Sequence, residues 1–143
     1  MRKLIGSFVL MIFLLSFQSA PKKKVKPNLT GNSSIARGKM IYLQRCLVCH
    51  QVDGGGVPNL NAPLDGASAV VGKDKAKIIR IILLGMSERV EIDGERYNNN
   101  MAPQNDLNDQ QIADVLTYIR NTWTNKASPV TPAEVKAVRA KTK

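Results

Sequence analysis

Apolar side chains recur at helical spacing in several stretches of the 143-residue chain and alternate with polar ones in one short stretch. Ser34 can cap a helix over about residues 35–46, with Ile35, Lys39, Tyr42 and Leu43 arranged so that Tyr42 and Leu43 turn inward. Asp74 can cap a second helix, whose Ile78, Ile81 and Ile82 keep helical spacing until Gly85 stops it. Asn108 and Gln111 form a capping-box pattern at the start of a third, where Ile112, Val115, Leu116, Ile119 and Trp123 line one face. Thr131-Pro132-Ala133-Glu134 repeats that pattern with proline at the first helical position, so residues 132–140 are expected to make a short terminal helix. Asp93-Gly94 between two alternating runs reads as a two-residue hairpin turn. The expected class is therefore all-α with one short β-hairpin.

The ends of the chain follow other patterns. Arg2-Lys3 precedes fourteen mostly apolar residues, Leu4 to Phe17, a basic region followed by a hydrophobic stretch of secretory length. At 1.5 Å per residue such a stretch falls short of the roughly 30 Å hydrocarbon core. Residues 1–20 are thus expected to be a signal peptide cleaved after Ala20. Gln18 and Pro21 fit that cut poorly, which leaves an uncleaved membrane anchor open. Residues 21–34, rich in Pro, Lys and small polar groups, read as a basic flexible linker whose lysines could rest on anionic lipid. Residues 35–125 form the expected folded domain, and 126–143 a C-terminal extension.

The net charge of +10 changes meaning once it is located. Residues 1–26 hold six basic and no acidic side chains, residues 125–143 contribute +4, and residues 27–124 balance ten against ten. A neutral middle without an aromatic-studded basic patch excludes nucleic acid as the natural partner. The lysines and arginines at 73–80 read as one solvated side of their helix. Aromatic residues make up only 5% of the chain, so a bound group is a reasonable filler for the interior.

Both cysteines and the one histidine fall in Cys46-Leu47-Val48-Cys49-His50. A C-x-x-C-H pentapeptide lets two thiols reach the vinyl groups on one edge of a haem while the adjacent imidazole becomes the proximal iron ligand. A structural zinc site needs four such ligands, and only three exist. A thioredoxin-like motif lacks its βαβ surroundings, and a plain Cys46–Cys49 disulfide leaves His50 unexplained. With a single histidine, bis-histidine ligation within the chain is impossible. The sixth position is then Met, Lys, water or vacant, with methionine the default. Met1 and Met11 lie in the leader, and Met40 shares the helix before the attachment site. Met86 closes an apolar helical run, where methionine usually fills core. Met101 lies in the polar stretch Asn98-Asn99-Asn100-Met101-Ala102-Pro103 and is the favoured distal ligand.

Over residues 35–125 the chain resembles the class I c-type cytochromes. The resemblance rests on Gly38 and Tyr42, then C-L-V-C-H, then Gly56-Val57-Pro58-Asn59-Leu60 with Pro63-Leu64 and Gly66, then N-M-A-P, then a helix ending in Tyr118 and Trp123. It implies helices around one covalent haem c, and a crossing of the last core helix over the first near Gly38. It also implies that the Pro58 carbonyl accepts a hydrogen bond from the second ring nitrogen of His50. The stretch 89–97 looks like an insertion found in cytochrome domains that partner dehydrogenases, reductases and terminal oxidases.

The expected function is single-electron transfer between redox partner proteins outside the cytoplasm, by a monomer or a subunit of a complex, with no catalytic residues. With His50 and Met101 on the iron no substrate position is left. The alternative is a haem enzyme, or a sensor of peroxide or a small gas, with an open or displaceable sixth position.

Overall fold

A computed structural model describes residues 32–142; the leader and residues 21–31 of the linker lie outside the described residues. Six helices and one hairpin follow in the order α1 (Asn32–Arg45), α2 (Leu47–His50), α3 (Ser68–Val71), α4 (Lys75–Leu84), β1 (Val90–Ile92), β2 (Glu95–Tyr97), α5 (Asp109–Arg120) and α6 (Pro132–Arg139). Among these residues no helix is long and apolar enough to cross a membrane.

The frame is the crossing of α1 and α5. A Cβ placed on Gly38 would lie 2.1 Å from the Asp114 carbonyl oxygen and 2.7 Å from the Tyr118 Cβ, so only glycine permits this approach. Polar groups seal the crossing. Asp114 is 1% exposed and would be costly unpaired, but it accepts from Arg37 at 2.5 and 2.8 Å, from Gln110 at 2.9 Å and from the Ser34 hydroxyl. Ser34 therefore works inside α1 rather than at its cap, and the helix starts at Asn32, within the stretch expected to be linker. Tyr42 is buried as expected and packs tilted against Tyr118 and edge-on against Trp123, whereas Leu43 is 40% exposed. One helical step separates them, and α5 covers only the Tyr42 side.

The expected caps form. Asn108 and Gln111 exchange side-chain and backbone bonds of 2.9 Å at the start of α5, and Asp74 accepts from the Lys77 amide. Helix α5 ends at Arg120, before Trp123, whose φ of 56° turns the chain back so that its indole N–H reaches the Val52 carbonyl at 3.0 Å. Arg120 is 1% exposed and is satisfied by carbonyls: it donates to Ser128 at 2.8 Å, to Gly72 at 3.1 Å and to Val70. Burial holds its guanidinium below the usual arginine range.

Helix α6 docks on α4 and α5. Val135 and Val138 are buried, Arg139 bonds Asp109 at 2.7 Å and the Leu107 carbonyl at 2.6 Å, and Lys75 bonds Glu134 at 2.9 Å. Lys73, Lys77 and Arg80 face solvent, as the sequence suggests; Lys75 does not. The hairpin pairs Val90 with Tyr97 and Ile92 with Glu95 around Asp93 and Gly94, whose φ values of 53° and 86° are those of a type I′ turn. Helices α2 and α3 are single turns that hydrophobic periodicity could not announce.

Candidate cofactor site

The C-x-x-C-H segment sits where the chain leaves α1. The Cys46 amide still bonds the Tyr42 carbonyl at 2.9 Å, and the His50 amide bonds the Cys46 carbonyl at 2.9 Å, so α2 continues the turn and presents Cys49 and His50. Both cysteines are free thiols, Cys46 partly buried and Cys49 exposed. Burial, with Cys49 beside it, pushes the Cys46 thiol up to about 11.

His50 is oriented by one hydrogen bond. Its Nδ1 lies 2.9 Å from the Ala62 carbonyl, so that nitrogen carries the proton and Nε2 keeps its lone pair. Burial lowers the imidazole's proton affinity and the bond to Ala62 partly restores it, leaving the ring neutral and able to ligate. The acceptor is thus Ala62, not Pro58. The physical reason lies in the glycine run before it. The Gly56 amide bonds the His50 carbonyl at 3.1 Å, and a Cβ on Gly56 would meet the Asn61 and Ala62 carbonyl oxygens at 2.3 and 2.7 Å. With φ at 68° the loop doubles back, Val57 bonds Asn61 at 2.9 Å, and Pro58 is carried to the surface while Ala62 comes under the ring.

Across from this segment the chain after the hairpin is pinned at several points. Met101 and Met86 exchange reciprocal backbone bonds of 2.8 and 2.9 Å, the Gln104 amide bonds the Ile82 carbonyl at 2.8 Å, and the Asn99 amide bonds the Leu60 carbonyl at 3.0 Å. Asn99 also donates to the Asn61 side chain at 2.6 Å, so the loop that holds His50 and the loop that carries Met101 are tied directly together.

Between them lies a cavity of about 290 Å³. Cys46, Cys49, His50, Met86 and Met101 all line it, and the rest of its wall is largely apolar, including Leu64, Val70, Ile78, Ile82, Leu116 and Ile119. Gln104 Oε1, at this wall, is a buried side-chain oxygen without a partner. Two free thiols, a neutral imidazole and thioethers around an apolar hollow match the donor set a covalently held haem requires. The structure brings together the cysteines, His50 and Met101 as the sequence suggests, and leaves Pro58 outside. Met86, the less favoured ligand candidate, also lines the cavity, as do Ala62 and Ile92 of the hairpin, which were not expected there.

The comparisons with known proteins agree with this geometry. The family model for cytochrome c matches residues 35–123.

The chain belongs to the cytochrome c family.

The cytochrome c subunit of the quinone alcohol dehydrogenase of Gluconacetobacter polyoxogenes is 34% identical over 119 residues, covering 77% of this chain and 24% of that protein. Cytochrome c-552 of Thermus thermophilus is 36% identical over 114 residues, covering 74% of this chain and 86% of the relative. The gluconate 2-dehydrogenase cytochrome c subunit of Pantoea cypripedii is 34% identical over 108 residues, covering 71% and 24%. The chain thus spans about a quarter of the length of the dehydrogenase subunits and most of the length of cytochrome c-552. As a cytochrome c it carries a covalently bound haem c and has the mostly helical class I fold.

Proposed function

We propose that Cys46 and Cys49 hold the haem by thioether bonds, that His50 ligates the iron through Nε2, and that Met101 supplies the sixth ligand. One observation carries this reading: these four side chains line a single apolar cavity, from two loops that are hydrogen-bonded to each other. Bound haem c supplies an iron that exchanges one electron between its ferric and ferrous states. The residues do the rest. The Ala62 carbonyl fixes the His50 ring and raises its basicity. The backbone pair of Met101 with Met86 holds the distal loop still, so that little has to reorganise when the charge changes. Leu64, Ile82 and Leu116 keep water from the interior, and exposed Cys49, beside Val48 at 86% exposure, marks the edge where a partner comes close.

The chain works as an electron-transfer component rather than as an enzyme, and its partners are a dehydrogenase, reductase or terminal oxidase. Dehydrogenase subunits among its relatives support that class of partner. Residues 46–66 and 98–105 hold Asp53 and Asp65 but no lysine or arginine, and Arg45 at the cavity is paired with Asp106, so this edge carries little net charge to steer a partner. Segment 1–20 exports the domain or tethers it outside the cytoplasmic membrane. Replacing Met101 by His tests the ligand set. The Met101→His holoprotein should have a lower reduction potential than the unmodified protein, because a thioether ligand raises the potential relative to imidazole. An unchanged potential and spectrum would show that Met101 does not ligate the iron.

A further inference from the structure

Met86 and Met101 are paired in a way that packing alone does not require. They form an antiparallel bridge in which each amide donates to the other's carbonyl, at 2.9 and 2.8 Å. Residues opposed in this way send their side chains to the same face, with Cα atoms about 5.5 Å apart. Here that face is the cofactor cavity, and both methionines line it. The pairing is locked on its other side as well. Gly85 has φ of 70°, and a Cβ there would lie 2.3 Å from the Met101 carbonyl oxygen, so the two strands of chain stay in contact.

We propose that Met86 is a reserve thioether ligand, which takes the sixth position when Met101 leaves it. The inference rests on the assignment of Met101 as the resting ligand. Methionine has three rotatable side-chain bonds, so a sulfur can travel the distance between two paired positions without unfolding the loop. No competing soft donor lines the cavity. Cys46, Cys49 and His50 are committed, and the polar side chains left are the amides Asn61, Asn100 and Gln104 and the cation Arg45, which is bound to Asp106 at 2.7 Å. Leucine would fill the same volume at position 86, but only sulfur can ligate.

The test compares ferric holoprotein of three kinds: unmodified, Met101→Leu, and Met101→Leu with Met86→Leu. Leucine keeps the volume of the site, and the covalent haem keeps the cofactor in place. Met101→Leu should retain a sulfur-to-iron charge-transfer band, shifted from that of the unmodified protein, and the double variant should lose it and become high-spin. Imidazole, titrated as an external ligand, should bind the double variant at least ~10-fold more tightly, because in the single variant it must first displace the reserve sulfur. Loss of the band in Met101→Leu, or equal imidazole affinities, overturns the reserve role and leaves the Met101 assignment standing. A Met101→Leu spectrum identical to that of the unmodified protein overturns both, since Met86 would then be the resting ligand.

Discussion

The two halves of the molecule are held together by different means. In the scaffold of α1, α5 and α6, buried apolar faces meet side chain to side chain, tied by the ion pairs Arg37–Asp114 and Arg139–Asp109 and by buried Arg120, which donates to carbonyls. In the loop half, residues 51–66 and 86–104, the ties are mostly backbone hydrogen bonds between segments with few buried side chains of their own. Glycines 54, 56 and 85 allow the turns there, each with positive φ. The scaffold buries most of its apolar surface against itself, with Leu116 and Ile119 of α5 facing the cavity. The loops enclose a hollow, and their apolar inner walls gain a partner only when the cofactor is in place. Stability and redox character should therefore be separable by mutation.

The largest effect expected breaks the scaffold. Gly38→Val drives a branched side chain into the Asp114 carbonyl and should cost more than about 3 kcal/mol of stability. Thermal unfolding of whatever holoprotein forms should show a much lower Tm, with the potential of the folded fraction unchanged. A changed potential would mean that the two halves are mechanically one.

A smaller loss, with the opposite signature, is expected from Gly56→Ala. Its left-handed φ and the Asn61 oxygen at 2.3 Å make a Cβ unwelcome, at about 1–3 kcal/mol. The loop then moves the Ala62 carbonyl away from His50. A histidine that loses this acceptor is a poorer donor to iron, so the potential should rise. Voltammetry showing no rise would separate the loop from the ligand.

The smallest effect concerns pH and returns to the scaffold. Burial pushes the Glu134 carboxyl up, but hydrogen bonds from the Thr131 amide and from Lys75 outweigh it and hold the group below its ordinary range. A depressed folded value means that its contribution is complete above the ordinary glutamate range and is lost as pH falls through the folded value. Acidification should loosen α6 first, and Glu134→Gln should flatten that part of the Tm against pH curve. Identical curves for the two proteins would remove α6 from the acid response.

The same division explains what could be read from the sequence. Features whose signal is a side chain at a fixed local spacing were legible: C-x-x-C-H, the capping boxes at Asn108 and Thr131, and the Asp93-Gly94 turn; Gly38 at the helix crossing was implied by the family resemblance. Features that depend on a carbonyl were not. The acceptor for His50 is the main chain of Ala62, which any residue could supply, and only the fold of the glycine loop decides between it and Pro58. Long-range polar partners were hidden for a related reason. Asp114 and Arg120 sit among the residues of an amphipathic helix, and neither Ser34 and Arg37 nor the carbonyls of Val70 and Ser128 are near them in sequence. Met86 reads as filler at the end of an apolar run, and only its bridge to Met101 turns it toward the cavity.

With His50 and Met101 both on the iron of a haem held in the cavity, only electrons would pass. An optical and redox titration of the holoprotein, with carbon monoxide added to the reduced form, decides this. One reversible one-electron step, a low-spin ferric spectrum with a sulfur-to-iron band, and no rapid binding of carbon monoxide are expected. A high-spin ferric spectrum, or ready binding of carbon monoxide by the ferrous protein, would contradict that ligation and point to an iron open to substrate.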